Sequence, residues 1–530
     1  MPSITPSERC VNSMSRLALS IRPILLMAAA MTICFLIPSA QADESKQKLP
    51  PSRESLSLAD AVLRALKNNL NITISRKQRE MTLTDIIVEQ AKFDPTLNLG
   101  GRFDRTVLPL NRPIFGFGDN SVSGEPRPFD VNETKLNFGL KQKLFTGANY
   151  DVTYNPSRTF VSGRNTFLFN PGYASGLTLN ISQPLLRDFG PDVNRTPIRI
   201  AQNNAQVADY VFLTSAISVI STVEQVYWEL VFAHENLKVA QAALTAAERL
   251  VMSNRALAKA GIVASVEVLQ AEAGVASRIE QVLIAEKGIR DQEDQVRRLL
   301  NPTEKDLLQD MRVIPVDQPI QTLEPISLEL AKDIAVERRP EVLQALKTIE
   351  SSEINTKVAK NQLLPSLALE GTIALTGLGS SHSDLLQRNF GGDFYNYGAG
   401  LVLSYPLGNR AAWGQYNKRQ LEAENAQAAL EDVRKQVIVE VKEAVRRVQT
   451  DFKRIETTQS ARILADKQLE AEQERLKAGL STTIFVLGFL RDVATARANE
   501  LRATVDYNKS LSNLAKQKAT TLERYNIILQ

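Results

Sequence analysis

Few side chains in this 530-residue chain have the type and spacing to do chemistry. It holds two histidines, His234 and His382, and two cysteines, Cys10 and Cys34. Both cysteines fall in an N-terminal stretch that reads as a removable leader, so the remaining chain is expected to use no thiol, disulfide or thiolate metal site. HExxH, GxSxG and phosphate-loop patterns are missing from the sequence. Carboxylates are plentiful, but they sit on helical stretches as a solvated charged face, without a nucleophile–base pair or a metal cluster. An enzyme is therefore not expected, and neither is a bound cofactor or metal. His234 lies beside a heptad seam and reads as a helix-surface residue, while His382 reads as part of a polar loop between strands.

More informative are two short turns. Lys259-Ala260-Gly261-Ile262 returns as Lys477-Ala478-Gly479-Leu480, an offset of 218. Three other landmarks recur in the same order. Leu56-Ser57-Leu58 with Ala61 returns as Ile326-Ser327-Leu328 with Ala331, and Asp94-Pro95-Thr96-Leu97 as Leu364-Pro365-Ser366-Leu367, both at an offset of 270. Ile181-Ser182-Gln183-Pro184-Leu185 returns as Leu403-Ser404-Tyr405-Pro406-Leu407 at 222. A period above 200 residues is too long for a solenoid unit and indicates a duplicated half-protein.

The elements that would position these turns follow from composition. Arg9, Arg16 and Arg22 precede an apolar run from Ile24 to Ile37, and Pro38-Ser39-Ala40-Gln41-Ala42 supplies an A-x-A pattern, as in a secretory signal cleaved after Ala42. The run of 14 residues is short of the roughly 20 that span a bilayer. Ile33 before Cys34 fits a lipoprotein site poorly, so no lipid anchor is expected. Without residues 1–42 the chain carries 60 basic and 58 acidic side chains, which gives no reason to expect nucleic acid. No later apolar stretch reads as long enough for a spanning helix, so any membrane part must be built of strands.

Residues 43–54 are polar, contain Pro50-Pro51, and read as a mobile segment. Helical spacing predicts one amphipathic helix over 56–92 with Ser57 as N-cap, ended by Asp94-Pro95, and a second over 328–362. From 93 to 190 the chain turns rich in Gly, Asn, Pro, Thr and aromatics, with period-two runs at 96–99, 135–140 and 176–181 and a hairpin turn at Thr146-Gly147-Ala148-Asn149. The second copy is shorter, with strands over 366–376 and 397–404 around a Gly/Ser-rich loop. The first copy therefore contains an insertion at roughly 106–174, which either lengthens outer strands or forms an external loop. Long helical stretches follow, from about 196 to 300 and from about 411 to 526. Val223, Leu230, Leu237, Leu244 and Val251 recur every seven residues, with Val226, Ala233, Ala240 and Ala247 three positions later, a seam that lets helix axes approach closely. Ile438, Val441, Val445, Val448, Phe452 and Ile455 repeat the spacing. Each stretch is broken once, at Gly261 and Gly479. Each half can then be drawn as one long helix, about 95 Å for residues 196–259, antiparallel to two shorter stacked ones.

In the order and doubling of these landmarks the chain resembles the outer-membrane efflux protein family, the TolC-like channels of Gram-negative envelopes. Most specific are Arg475-Leu476-Lys477-Ala478-Gly479-Leu480-Ser481 with its partner Gly261-Ile262-Val263-Ala264, the Leu364-Pro365-Ser366-Leu367 strand start, and the two strand ends at 182–185 and 404–407. The resemblance covers essentially all of the chain after the leader. It implies a mainly α protein with a β membrane part. Long antiparallel helices would form a tunnel, and four strands per protomer would join a twelve-stranded outer-membrane barrel in a homotrimer. The organisation would be a signal peptide at 1–42, a first repeat at 43–300, a connector at 301–326 half-way along the rod, and a second repeat at 327–530. Four strands cannot close a barrel alone, and lipid forbids open edges.

The resemblance further implies a passive conduit of an efflux or type I secretion system, contacting outer-membrane lipid at one end. Its adaptor-docking turns would be Gly261, Ile262, Val263 and Ala264 with Gly479, Leu480 and Ser481, meeting a periplasmic adaptor coupled to an inner-membrane pump. Both glycines would also serve as plain helix caps. Where channels of the family often place an acidic ring at the periplasmic gate, this chain has Phe485 and Gly488, with Glu267 and Gln270 in the first copy. A Phe485 ring would gate by dewetting, whereas an acidic ring binds cations; the other reading of Phe485 is packing between helices. The competing overall reading is a coiled-coil scaffold or adhesin of the periplasm or outer membrane that transports nothing.

Overall fold

The computed structural model describes residues 53–110, 127–162, 167–301 and 312–528. The leader, most of the polar N-terminal segment and part of the connector lie outside the described residues. Strand β1 (Arg53–Leu56) leads into α1 (Leu58–Asn68) and α2 (Leu70–Ala91). Ser57 caps α1 as expected, its Oγ accepting from the Asp60 amide at 3.1 Å. The single helix expected over 56–92 is instead two. Backbone at Asn69 is extended (φ −64°, ψ 130°), and its side-chain oxygen caps α2 through the Asn71 amide at 2.9 Å.

A sheet follows: β2 (Thr96–Leu110), β3 (Arg127–Lys143), β4 (Asn149–Tyr154), β5 (Ser157–Val161) and β6 (Gly172–Pro184). After the short α3 (Pro191–Asn194) come α4 (Thr196–Lys259) and α5 (Ser265–Leu300). The second copy runs β7 (Arg312–Pro315), α6 (Leu328–Arg338), α7 (Pro340–Asn361), β8 (Ser366–Gly379), α8 (His382–Gly391) and β9 (Tyr395–Ser404). It ends with α9 (Arg410–Lys477), α10 (Thr483–Gln517) and α11 (Thr521–Arg524). Here too one expected helix, over 328–362, is two. Extended Arg339 (φ −64°, ψ 128°) precedes Pro340, which disfavours helical backbone before it. Asn69 and Arg339 lie 270 apart, the same offset that relates the sequence landmarks.

The helices α4, of 64 residues, and α9, of 68, each span about 95–100 Å. Four columns lie side by side. Towards the sheet they are α2, α4, α7 and α9; towards the glycine turns they are α5, α4, α10 and α9. The heptad seam of α4 is buried or half-buried throughout. In α9, Val437 is buried where Ile438 was expected, because Ile438 faces out one position along. Midway along, β1 pairs in parallel with β7, and the connector laces over the helices. Tyr227 donates to the Asp317 carboxylate at 2.5 Å, and Tyr507 to the Thr322 carbonyl at 2.8 Å. One core gathers Ile220, Tyr227 and Leu230 of α4 with Leu56 and Val62; a second gathers Val437, Val441 and Val448 with Tyr507. By length and composition α4 does pass as a membrane-crossing helix, contrary to the sequence expectation. Phe212, Ile220, Tyr227, Trp228 and Leu230 of this helix are buried in the first core.

The sheet differs from expectation in number. Its path is β2-β3-β4-β6-β8-β9, with β5 beside β3 and β6. All of its pairings are antiparallel. Since β5 continues β4 past Pro156 between the same neighbours, the described residues supply six strand positions and not four. The insertion accounts for the excess: residues 106–174 carry two further runs of strand alternation, joined by the hairpin turn expected at 146–149. Gly147 (φ +92°) makes that turn, with Asp188 and Asn194 packed so closely that no side chain would fit. The polar loop of the second copy contains α8, whose first residue is His382, packed edge-on against Tyr173 at 4.6 Å.

Candidate functional site

At the end of the rod far from the sheet, two helical hairpins turn in the same way. At the first, Gly261 takes a left-handed conformation (φ +71°), with the Ile262 amide bonding back to the Leu257 carbonyl at 2.9 Å and the Gly261 amide to Ala258 at 3.0 Å. Gly479 (φ +74°) does likewise, with Leu480 bonding to Arg475 at 2.9 Å and Gly479 to Leu476 at 3.0 Å. These paired bonds form the glycine-terminated helix end that satisfies otherwise orphaned carbonyls. Among the described residues no heavy atom outside the turn lies within 4 Å of a Cβ placed on either glycine, so glycine is required by backbone conformation and not by crowding. The apolar tips point outward: Ile262 is 69% exposed and Leu480 73%. Val263 and Ser481 are half-buried and Ala264 is exposed. A surface groove beside the first tip is lined by Ala258, Lys259, Val266 and Leu269.

The two tips are fastened together by Glu267, one of the gate candidates, and by Asn254 and Thr483, which the sequence does not single out. The Thr483 amide donates to Glu267 Oε2 at 2.9 Å, so this carboxylate caps the start of α10. Asn254, 2% exposed, donates through Nδ2 to Thr483 Oγ1 at 2.7 Å and to the Glu267 carbonyl at 3.2 Å. In the second hairpin the buried Glu472 accepts from the Ser481 hydroxyl and from Arg475. Asn254 and Glu472 are also 218 apart. Extending that offset seven residues back from the glycines would have found them. A close approach adds to the fastening: a Cβ on Gly274 would lie 2.6 Å from Leu487 Cδ2, so α5 and α10 meet there because residue 274 has no side chain.

Among the described residues, Phe485 is 60% exposed, Gly488 has open space around it, and Gln270 is half-buried with an enclosed Oε1 that has no hydrogen-bond partner. Behind them the buried Arg278 donates to Gln281 at 2.8 Å; burial, then the nearby Arg491 charge, lowers its pKa. His234 is half-buried, not on the surface, with Nε2 3.2 Å from the Val313 carbonyl; burial pushes its pKa down. No group of three or more potential metal ligands occurs among the described residues.

A sheet with strands long enough to cross a bilayer, carried on helical hairpins of about 100 Å with twinned tips, is the build of an outer-membrane channel subunit. The chain belongs to the outer membrane efflux protein family, whose profile matches residues 61–302 and 332–517, beginning at equivalent places in the two copies. It is 22% identical over 388 residues to outer membrane protein TolC of Vibrio cholerae serotype O1, spanning 72% of this chain and 84% of that one. The Campylobacter jejuni CmeC outer membrane channel has the same fold at 18% identity, with a TM-score of 0.62 over 88% of this chain and 86% of that one. VceC, an outer membrane protein of Vibrio cholerae, matches at 17% identity, with a TM-score of 0.62 over 87% and 96% of the two chains. As a family member this chain is an outer-membrane efflux channel protein.

Proposed function

We propose that the protein works as a homotrimeric, passive conduit from periplasm to exterior, the outer-membrane part of a tripartite efflux or type I secretion machine. The observation that carries this reading is the sheet itself. Among the described residues it is open at β2 and β9, apolar residues on both edge strands are exposed, and unpaired edges are not tolerated in lipid. Its strands alternate in direction and are even in number, so β9 of one copy meets β2 of the next antiparallel and the ring closes without a mismatch. A scaffold that transports nothing has no use for such edges.

At the other end, the exposed Ile262 and Leu480, with the groove beside Val266 and Leu269, fit an apolar contact with a periplasmic adaptor that joins an inner-membrane pump. The exposure of Phe485 on α10 supports a role lining the narrowest ring of the trimer, with Gly488 one turn on. Glu267 and Gln270 then act behind it, Glu267 by holding the tips shut. The repeats run over 43–300 and 327–530, joined by 301–326, after a leader at 1–42. Neither catalysis nor a cofactor has a part in this reading. The test is purification from outer membrane in mild detergent followed by native mass spectrometry and planar-bilayer recording. Three chain masses and discrete conductance steps are expected; a soluble species, or a stable trimer that never conducts even with its tips loosened, would return the scaffold reading to first place.

A further inference from the structure

The inserted hairpin has a use that neither a longer strand nor an external loop supplies. Residues paired in register share a face of the sheet, and faces alternate along each strand. One row across all six strand positions reads Leu97, Leu140, Val152, Leu179, Ile373, Tyr397. The next row on that face reads Leu99, Phe138, Tyr154, Leu177, Leu375, Tyr395. On the opposite face the adjoining row is Thr96, Lys141, Asp151, Asn180, Thr372, Gly398, with Lys141 and Asp151 paired at 3.0 Å. The apolar stripe therefore passes through β3 and β4 without a gap, and so does the polar one. A hairpin folded into the lumen or lying outside the membrane would interrupt one of them. On β8 the apolar face runs from Leu367 to Leu375, about 27 Å of strand, or about 20 Å of height once tilted. That approaches the apolar band of roughly 25 Å on outer-membrane barrels.

We propose that the inserted hairpin, β3 with β4 and β5, is part of the lipid-facing wall, so that three copies of this chain close an eighteen-stranded barrel and not a twelve-stranded one. The proposal rests on the trimer reading above. Widths are compatible with it. Four helical columns per chain give twelve in a trimer, and at 8–10 Å between axes they form a ring of roughly 15–19 Å radius. Strands about 4.8 Å apart tilted by about 40° give a radius of roughly 18 Å for eighteen and roughly 12 Å for twelve. With eighteen strands the sheet meets the helical tunnel at matched width, and the outer mouth is about 1.5 times wider than twelve strands at that tilt would make it. Cargo too bulky for a twelve-stranded mouth would pass.

The test uses full-length protein expressed with its leader and purified in detergent. Electron cryomicroscopy of the wild-type protein in nanodiscs counts wall strands and subunits together. Three subunits with eighteen strands are expected. Three subunits with twelve wall strands overturn the inference while leaving the trimer intact; two subunits overturn the trimer reading and the strand count with it. Single-cysteine variants add a readout in membranes, since the native cysteines lie only at positions 10 and 34. Phe138→Cys and Val152→Cys should react with a hydrophilic, membrane-impermeant maleimide at least tenfold more slowly than Asn137→Cys and Thr153→Cys, whose side chains face the lumen. Equal rates at the four positions in an intact trimer would overturn the wall assignment.

Discussion

Replacing Glu267 by alanine removes the carboxylate that caps α10 and ties the two tips together. A helix N-terminus leaves four amides unpaired, and the Thr483 amide is one that Glu267 satisfies. Losing such a cap costs about 1 kcal/mol. Losing a negative charge at the positive end of the helix dipole costs a further 0.3–1 kcal/mol, roughly. With Glu267 half-buried, the sum falls near 1.5–2 kcal/mol, about 10- to 30-fold in the local opening equilibrium. Amide hydrogen exchange in the detergent-solubilised trimer reads this directly. Residues 483–486 should exchange 10- to 30-fold faster in Glu267→Ala, and less than tenfold faster in Glu267→Gln, which keeps an acceptor but not the charge. Exchange midway along the rod, around Tyr227 and Val441, should not change. Equal protection of 483–486 in wild type and Glu267→Ala would refute the capping role, and a uniform rise along the whole rod would show that the side chain serves general stability.

Other perturbations follow from the same geometry. Gly479→Val places a β-branched residue at φ +74°, a strain of about 1–3 kcal/mol, and should impair export while trimers still insert in the outer membrane; loss of the trimer in gel filtration would show the turn to be a folding element. Gly274→Leu drives a side chain into Leu487 and should part α5 from α10, at about 1–3 kcal/mol, raising the open fraction in bilayer recordings. Phe485→Asp should increase cation selectivity, measured as a shift in reversal potential; unchanged values in both Phe485→Asp and Phe485→Ala would move Phe485 out of the gate. Glu224, fully buried in α4 beside Tyr525 and Arg524, has its pKa raised by burial despite the Tyr525 hydrogen bond at 2.6 Å. Its folded form holds the proton more tightly than the unfolded chain, so its stability cost appears as pH rises through the raised pKa and vanishes in acid. Glu224→Gln should therefore gain Tm relative to wild type as pH is increased, and a difference that shrinks instead would contradict the sign.

Much of the rod was legible because its signals are repetitive. The end of the long helix at 259 follows from Gly261 closing a seam of large and small residues, and both glycine turns lie where the doubled tetrapeptides put them. What escaped depended on long-range contact. The break at Asn69 has no proline and is visible only through its capping side chain, whereas Pro340 marked its counterpart openly. Glu267 looked available for a lumen ring because nothing local announces that the Thr483 amide, 216 residues away, uses it. The strand count is missed for another reason: β3 and β4 alternate as β2 does, but an insertion present in one copy only reads as longer outer strands or an external loop and not as more wall.

Channel function is tested most directly by planar-bilayer recording of purified trimer, wild type beside Glu267→Ala. The expected result is a pore whose open fraction rises with the loosened tips, in proportion to the faster exchange at 483–486. A properly inserted trimer that stays electrically silent in both forms would contradict it.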